Sequence, residues 1–188
     1  DHPQYARFRP PIRQPSRKDT AVAKLSVLEP EGTIHPIDTV EEVMLSYEWS
    51  FERQGEDEIA VQIAGQWCDL HMWFAWRNET HSLFYTCALD MRVPDERREV
   101  VYPLLAKINE KLWFGHFELW SEGGWPTFRH TLLAGRGSAV GADLVEEMVD
   151  AARSECDRFY PAFQFVIWGG KDAEGAIEAA LIEPIGEA

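Results

Sequence analysis

The chain has 188 residues, 45% of them hydrophobic and including eight Trp and ten Phe; this suffices for one domain with a substantial core plus tails, and excludes global disorder. Thirty-two acidic against 18 basic side chains leave a net charge of −14, which argues against nucleic acid or an anionic membrane as partner. No apolar run approaches the roughly 18 residues that span a bilayer, and the N-terminus lacks the apolar stretch of a secretory signal, so a cytoplasmic protein is expected.

Residues 1–36 read as an extended, basic, proline-rich arm. Its first 24 residues hold six basic and two acidic side chains, a net of +4 that leaves −18 on the remainder. Pro3, Pro10, Pro11 and Pro15 deny it regular helix or a central strand, and such an arm can lie against the acidic body or act in solubility alone. Residues 37–168 read as the folded domain. Its first helix is expected at Thr39, where Thr39-Val-Glu-Glu42 matches a capping box and Val40, Val43, Met44, Tyr47 and Phe51 follow at helical spacing up to Gly55. Ile59, Val61 and Ile63 then alternate as a strand does, and Gly65-Gln66 leads into a second strand from Trp67 to Trp76 and a third from about His81 to Asp90.

Val93-Pro94-Asp95-Glu96 opens a second helix, with Val101, Leu104, Leu105, Ile108 and Leu112 on one stripe and a bend expected at Pro103. His116–Trp120 and Trp125–Leu133 read as a hairpin around Gly123-Gly124. Leu144, Val145, Met148, Val149, Ala152 and Cys156 form a third helical stripe. Beyond Gly169-Gly170, residues 169–188 carry a short helical stripe expected to pack back on the domain. The order is α-β-β-β-α-β-β-α, an α+β fold with a five-stranded antiparallel sheet and helices mainly on one face.

Register follows from matching apolar faces, because a one-residue slip turns every side chain to the other face. In the second hairpin this sets Phe117 opposite His130 and Leu119 opposite Phe128, with Glu118 opposite Arg129. A rival register would set His116 against His130 as a metal pair, without the third ligand that zinc requires. In the first, Cys68 faces Leu89 and Leu70 faces Cys87, a diagonal unsuited to a disulfide; the three cysteines read as reduced thiols. The other sheet face then carries Trp67, Asp69, His71, Trp73, Phe84 and Thr86, with Trp120 on the same side. So aromatic a face suits a partner or a second copy of the chain, unless the arm or the C-terminal segment covers it.

No motif supports catalysis. Gly135-Arg-Gly137-Ser-Ala-Val-Gly141 sits between a strand and a helix but has neither the spacing nor the lysine of a phosphate loop. Asp69 could orient the His71 imidazole, yet no Ser or Cys nucleophile is tied to them by a motif. Cys156 lies within an apolar stripe, where a thiol behaves as a small hydrophobe.

The stretches Leu89-Asp-Met-Arg-Val-Pro-Asp-Glu-Arg-Arg98, Leu105-Ala-Lys-Ile-Asn109, Gly115-His-Phe-Glu-Leu119, Phe128-Arg-His130 and Glu155-Cys-Asp-Arg-Phe-Tyr-Pro161 resemble the YbjN-domain family of bacterial sensory transduction regulators over about residues 38–168. The resemblance implies an α+β fold like that of type III secretion chaperones, and neither a reaction nor a ligand. The expected function is a non-enzymatic, chaperone-like or regulatory protein-interaction domain, able to form a homodimer. Trp67, Trp73, Phe84 and Trp120 are the expected partner-binding residues, with no cofactor or metal. The alternative is a small-ligand or metal sensor, or an enzyme, with a polar pocket near Asp69 and His71 or at His116.

Overall fold

The computed structural model describes residues 34–135 and 138–182. Residues 1–33 of the expected arm, Arg136, Gly137 and residues 183–188 lie outside them.

Helix α1 (Pro36–Ser46) begins ahead of the predicted capping box. His35 is the cap, its Nδ1 accepting from the Ile37 N–H at 3.3 Å, and Pro36 occupies the first turn, where a missing N–H breaks no bond. Thr39 is therefore a buried residue inside the helix. The helix also stops earlier than Gly55. The Trp49 N–H reaches Met44 O at 3.0 Å and the Glu48 N–H reaches Leu45 O at 3.1 Å, a Schellman closure with Glu48 in the left-handed region at φ 57°. Glycine or asparagine usually signals that closure, and a glutamate does not. Phe51 consequently lies in a strand, β1 (Ser50–Arg53), which the helical spacing had concealed.

Strands β2 (Glu58–Ala64), β3 (Asp69–Arg77) and β4 (Ser82–Leu89) follow. A 3-10 turn over Asp95–Arg97 leads into α2 (Arg98–Asn109), which continues through Pro103; then come β5 (His116–Leu119), β6 (Pro126–Leu133), α3 (Ala142–Ile167) and α4 (Ala173–Ile182). The strands form one antiparallel sheet in the order β1-β2-β3-β4-β6-β5. The fold is α+β with six strands, one more than expected.

Both hairpins keep the expected faces but shift by two residues. Leu70 pairs with Leu89 and Met72 with Cys87, because residues 78–81 form the turn, with His81 at φ 47°. Phe117 pairs with Phe128, and Glu118 stands opposite Thr127. Glu118 still reaches Arg129 diagonally, at 3.2 Å. Shifts by two preserve the side-chain face, so hydrophobic alternation alone could not choose between these registers.

The helix-facing side of the sheet contributes Leu70, Met72, Phe74, Leu83, Tyr85, Cys87, Phe117 and Phe128 to one core with all four helices. Central β4 is buried along its whole length. Its Tyr85 hydroxyl donates to Met148 O at 3.1 Å, anchoring the N-terminal third of α3. At the far end of α3, Arg97 Nε and Nη2 donate to Ile167 O and Val166 O at 3.0 and 2.7 Å. These are last-turn carbonyls that the helix leaves without donors, and a cation there also complements the helix dipole. Helix α4 adds Ala173, Ala176, Ile177 and Ala180 to the core, packed against α3 and α2.

Candidate functional site

Among the described residues, the helices pack on only one side of the sheet. The opposite side has its own small cluster, Trp73, Ala75 and Phe84, with Ala60 packed against it. Trp73 and Phe84 meet edge to face with centroids 5.7 Å apart, and the Arg129 guanidinium lies 4.6 Å over the Phe84 ring. Trp73 stands directly opposite Thr86 across the β3–β4 ladder. Trp73 Nε1 and Thr86 Oγ1 are both buried without a hydrogen-bond partner, which leaves two polar groups bearing a desolvation cost.

Beside this cluster runs a groove of about 340 Å³, within the size range of ligand sites. Ala60, Ala88 and Trp125 line it together with Trp73, which is itself only 2% exposed, and Glu52, Gln62 and His71 supply polar groups. Strand alternation brings Glu52, Ala60, Gln62, His71, Trp73 and Ala88 to one face of the sheet. The lining includes Glu52 and neither Lys nor Arg.

Burial holds the His71 imidazole below its ordinary pKa, with the charges of Asp90 and Asp69 opposing that shift. Asp69 itself accepts from Gln62 Nε2 at 2.8 Å. Ser50 also lines the groove, but β2 lies between it and His71 in the ladder. Two strand spacings are about 10 Å, too far for a serine–histidine hydrogen bond.

The four expected partner-binding residues do not form one surface. Trp73 and Phe84 share the cluster, and Trp120 is buried beside the β5–β6 turn, its N–H donating to Trp125 O at 2.9 Å. Trp67 is exposed and lies before β3. Its ring stacks on Tyr160 of α3 with centroids 6.3 Å apart, and its Nε1 donates to Asp157 O at 3.0 Å. Sequence reasoning missed Glu52, because its segment reads as helix, and Trp125, which reads as the first residue of a strand but lies in the loop ahead of β6.

His116 pairs across the ladder with Arg129, so the register that would oppose it to His130 is not formed. His130 is held below its ordinary pKa by burial and by His116. Among the described residues, no three of His, Cys, Asp or Glu are grouped to hold a metal ion. Cys87 and Cys156 meet in the core with sulfurs 3.5 Å apart. Burial, then the contact with Cys87, pushes the Cys156 thiol well up, and burial pushes Cys68 to about 11. Neither Cys68 nor Cys156 is an activated nucleophile.

The model of the YbjN family, described as "Putative bacterial sensory transduction regulator", matches residues 36–165. The chain belongs to the YbjN family. The match runs from the start of α1 almost to the end of α3 and so takes in the whole sheet. The family is described by regulation and not by a reaction. Among solved structures, the chain is similar to YbjN of E. coli, itself described as "a putative transcription regulator". The identity is 10% and the TM-score 0.48, over 74% of this chain and 94% of that one. No curated protein matches the chain. No helix of the described residues is long and apolar enough to cross a membrane.

Proposed function

We propose that this member of the family is a non-enzymatic regulatory module that binds a protein partner on the sheet face opposite its helices. The observation that carries this reading is the Trp73–Trp125 groove on a face that none of the described helices packs against. Folded domains bury apolar sheet faces, and a mixed aromatic and polar groove on the remaining face is a common place for recognition. The site therefore centres on Trp73 and Trp125, with Phe84 behind it and Trp67 and Trp120 outside it.

Quantitative affinity capture with chemical cross-linking tests this. A Gln62→Trp variant fills the groove from an exposed strand position, and circular dichroism verifies its fold. A partner that cross-links around Glu52 and Trp125 and is lost on Gln62→Trp is the expected result. Partners recovered equally by both forms would overturn the reading.

The His71 side of the groove also favours a small-ligand sensor, since its volume suits a compact metabolite. Such a ligand would raise the melting temperature by mass action in a metabolite screen, and Gln62→Trp would abolish the shift.

A further inference from the structure

We infer that the chain's own N-terminal segment, residues 1–33, lies across the sheet face opposite the helices; that a partner must displace it to reach the site proposed above is a consequence that rests on the interaction reading.

Burial comes first. Ala75 and Thr86 are 0% exposed and Trp73 2%, although strand alternation points all three away from the helices. Lateral neighbours on a single sheet layer shield the flanks of a side chain and not its top, so burial this complete calls for a further layer. None of the described helices supplies one. His71, Asp90, Trp120 and Trp125, all at the end of the sheet where β3 begins and β4 ends, are not free groups either.

Connectivity comes second. His35 ties the start of α1 to the other end of the sheet: its Nε2 lies 3.2 Å from Asp57 Oδ1, ahead of β2, and its ring meets Trp76 of β3 edge to face, with centroids 6.5 Å apart. Residues 1–33 reach about 100 Å when extended, against roughly 30 Å for the length of β3. Residues 183–188 leave instead from α4, which packs on α2 and α3, and their charged side chains are Glu183 and Glu187.

The third observation is a match of order. Ala21-Val-Ala-Lys-Leu-Ser-Val-Leu28 is mostly apolar and is the part nearer His35, while Arg7, Arg9, Arg13, Arg17 and Lys18 lie beyond it. The face runs the same way. Outward from the His35 end come Ala75, Phe84, Trp73 and Ala60, and then Asp69, whose carbonyl accepts the Asp90 N–H at 3.2 Å. Arg77 and Arg129 on this face are matched by Glu58 and Glu118, so Glu52 and Asp69 leave it net acidic. A segment whose first 24 residues carry +4, facing −18 on the remainder, is drawn to it.

The test places the photo-cross-linker p-benzoylphenylalanine in the full chain, either at exposed Gln62 on this face or at exposed Glu147 on α3. Mass spectrometry maps the links, and a mixture of isotopically light and heavy chains separates links within a chain from links between chains. Links from position 62 into residues 1–33 of the same chain, absent from position 147, are the expected result. Arg7→Glu/Arg9→Glu/Arg13→Glu, and without it a rise from about 0.05 to 0.5 M salt, should each lower their yield at least about threefold. Exchange of the Trp73 indole N–H, followed by NMR, should quicken in the same variant, whose fold circular dichroism verifies.

Links between chains would overturn the inference in favour of a second copy as occupant. Links confined to residues 34–188, or none at all, would overturn it outright, and a yield indifferent to both charge reversal and salt would overturn the charge match that selects this segment. If the links form as expected while the charge-reversed chain captures no partner that Gln62→Trp removes, the covering stands and the interaction reading alone fails.

Discussion

Trp67 supplies the hydrogen bond that Pro161 removes. Pro161 lies inside α3 and has no N–H for the carbonyl of Asp157, one turn earlier. That carbonyl instead accepts from Trp67 Nε1 at 3.0 Å, while Asp157 Oδ1 accepts the Gln66 N–H at 2.8 Å. The loop before β3 is thereby fastened to the helix where its own ladder is interrupted.

A double-mutant cycle measures this relationship. Trp67→Phe keeps an aromatic ring against Tyr160 and removes the donor, the lost hydrogen bond having an expected cost of about 0.5–1.5 kcal/mol. In a Pro161→Ala background the restored N–H serves Asp157 O, so the same change should cost clearly less. Equal costs in both backgrounds, measured by urea denaturation, would show that the indole bond does not substitute for the missing one.

Asn109 closes the outer edge of the sheet. Its Oδ1 accepts the Phe117 N–H at 2.7 Å and its Nδ2 donates to Phe117 O at 3.1 Å, so one side chain imitates a neighbouring strand. Asn109→Ala should cost about 1–3 kcal/mol through two lost partners. Hydrogen exchange at Phe117 should rise more than exchange at β4; uniform loss of protection would indicate a global effect.

Gly115 occupies the turn into β5 at φ 64°, and a Cβ there would meet Phe128 Cζ at 2.4 Å and Arg129 O at 3.0 Å. Gly115→Ala therefore combines left-handed backbone strain with overpacking, and about 1–3 kcal/mol of destabilisation is expected. A denaturation midpoint unchanged from wild type would refute this account of the turn.

Stability should fall in mild acid. His71 and His130 are both held below their ordinary pKa by burial, so the unfolded chain binds protons more readily. Their contribution is complete above the unfolded histidine pKa of about 6.5 and is lost as pH falls below it towards the folded values. The melting temperature should drop between about pH 7.5 and 5.5. A His71→Gln/His130→Gln variant should show a flatter profile; an unchanged slope would assign the loss to other groups.

Cysteine labelling should separate surface from core. Half-buried Cys68, with its thiol at about 11, should react slowly with iodoacetamide near neutral pH, and buried Cys87 and Cys156 only on unfolding. Peptide mass spectrometry across a denaturant series reads the order directly. Modification of Cys156 ahead of Cys68 in native buffer would contradict the packing of α3 on β4.

The sequence by itself determined the α+β class, five of the six strands and the side of the sheet that each apolar residue takes. Alternation and helical stripes are local, energetically strong signals, as at Ile59, Val61 and Ile63 or Val145, Met148 and Val149. The family was legible in short ordered stretches such as Leu89–Arg98. Tertiary structure decided what local pattern leaves degenerate. Closure of α1 at Glu48 released Phe51 and Glu52 into β1, and a two-residue shift in each hairpin chose the actual partners without changing any face. The site depended on those choices. Trp73 and Phe84 were placed correctly by parity, but the groove needs Glu52 from β1 and Trp125 from the loop ahead of β6, while Trp67 is drawn to α3 by the carbonyl that Pro161 leaves open. Each is a long-range hydrogen-bonding or packing event, and the energy that selects it exists only once distant segments meet.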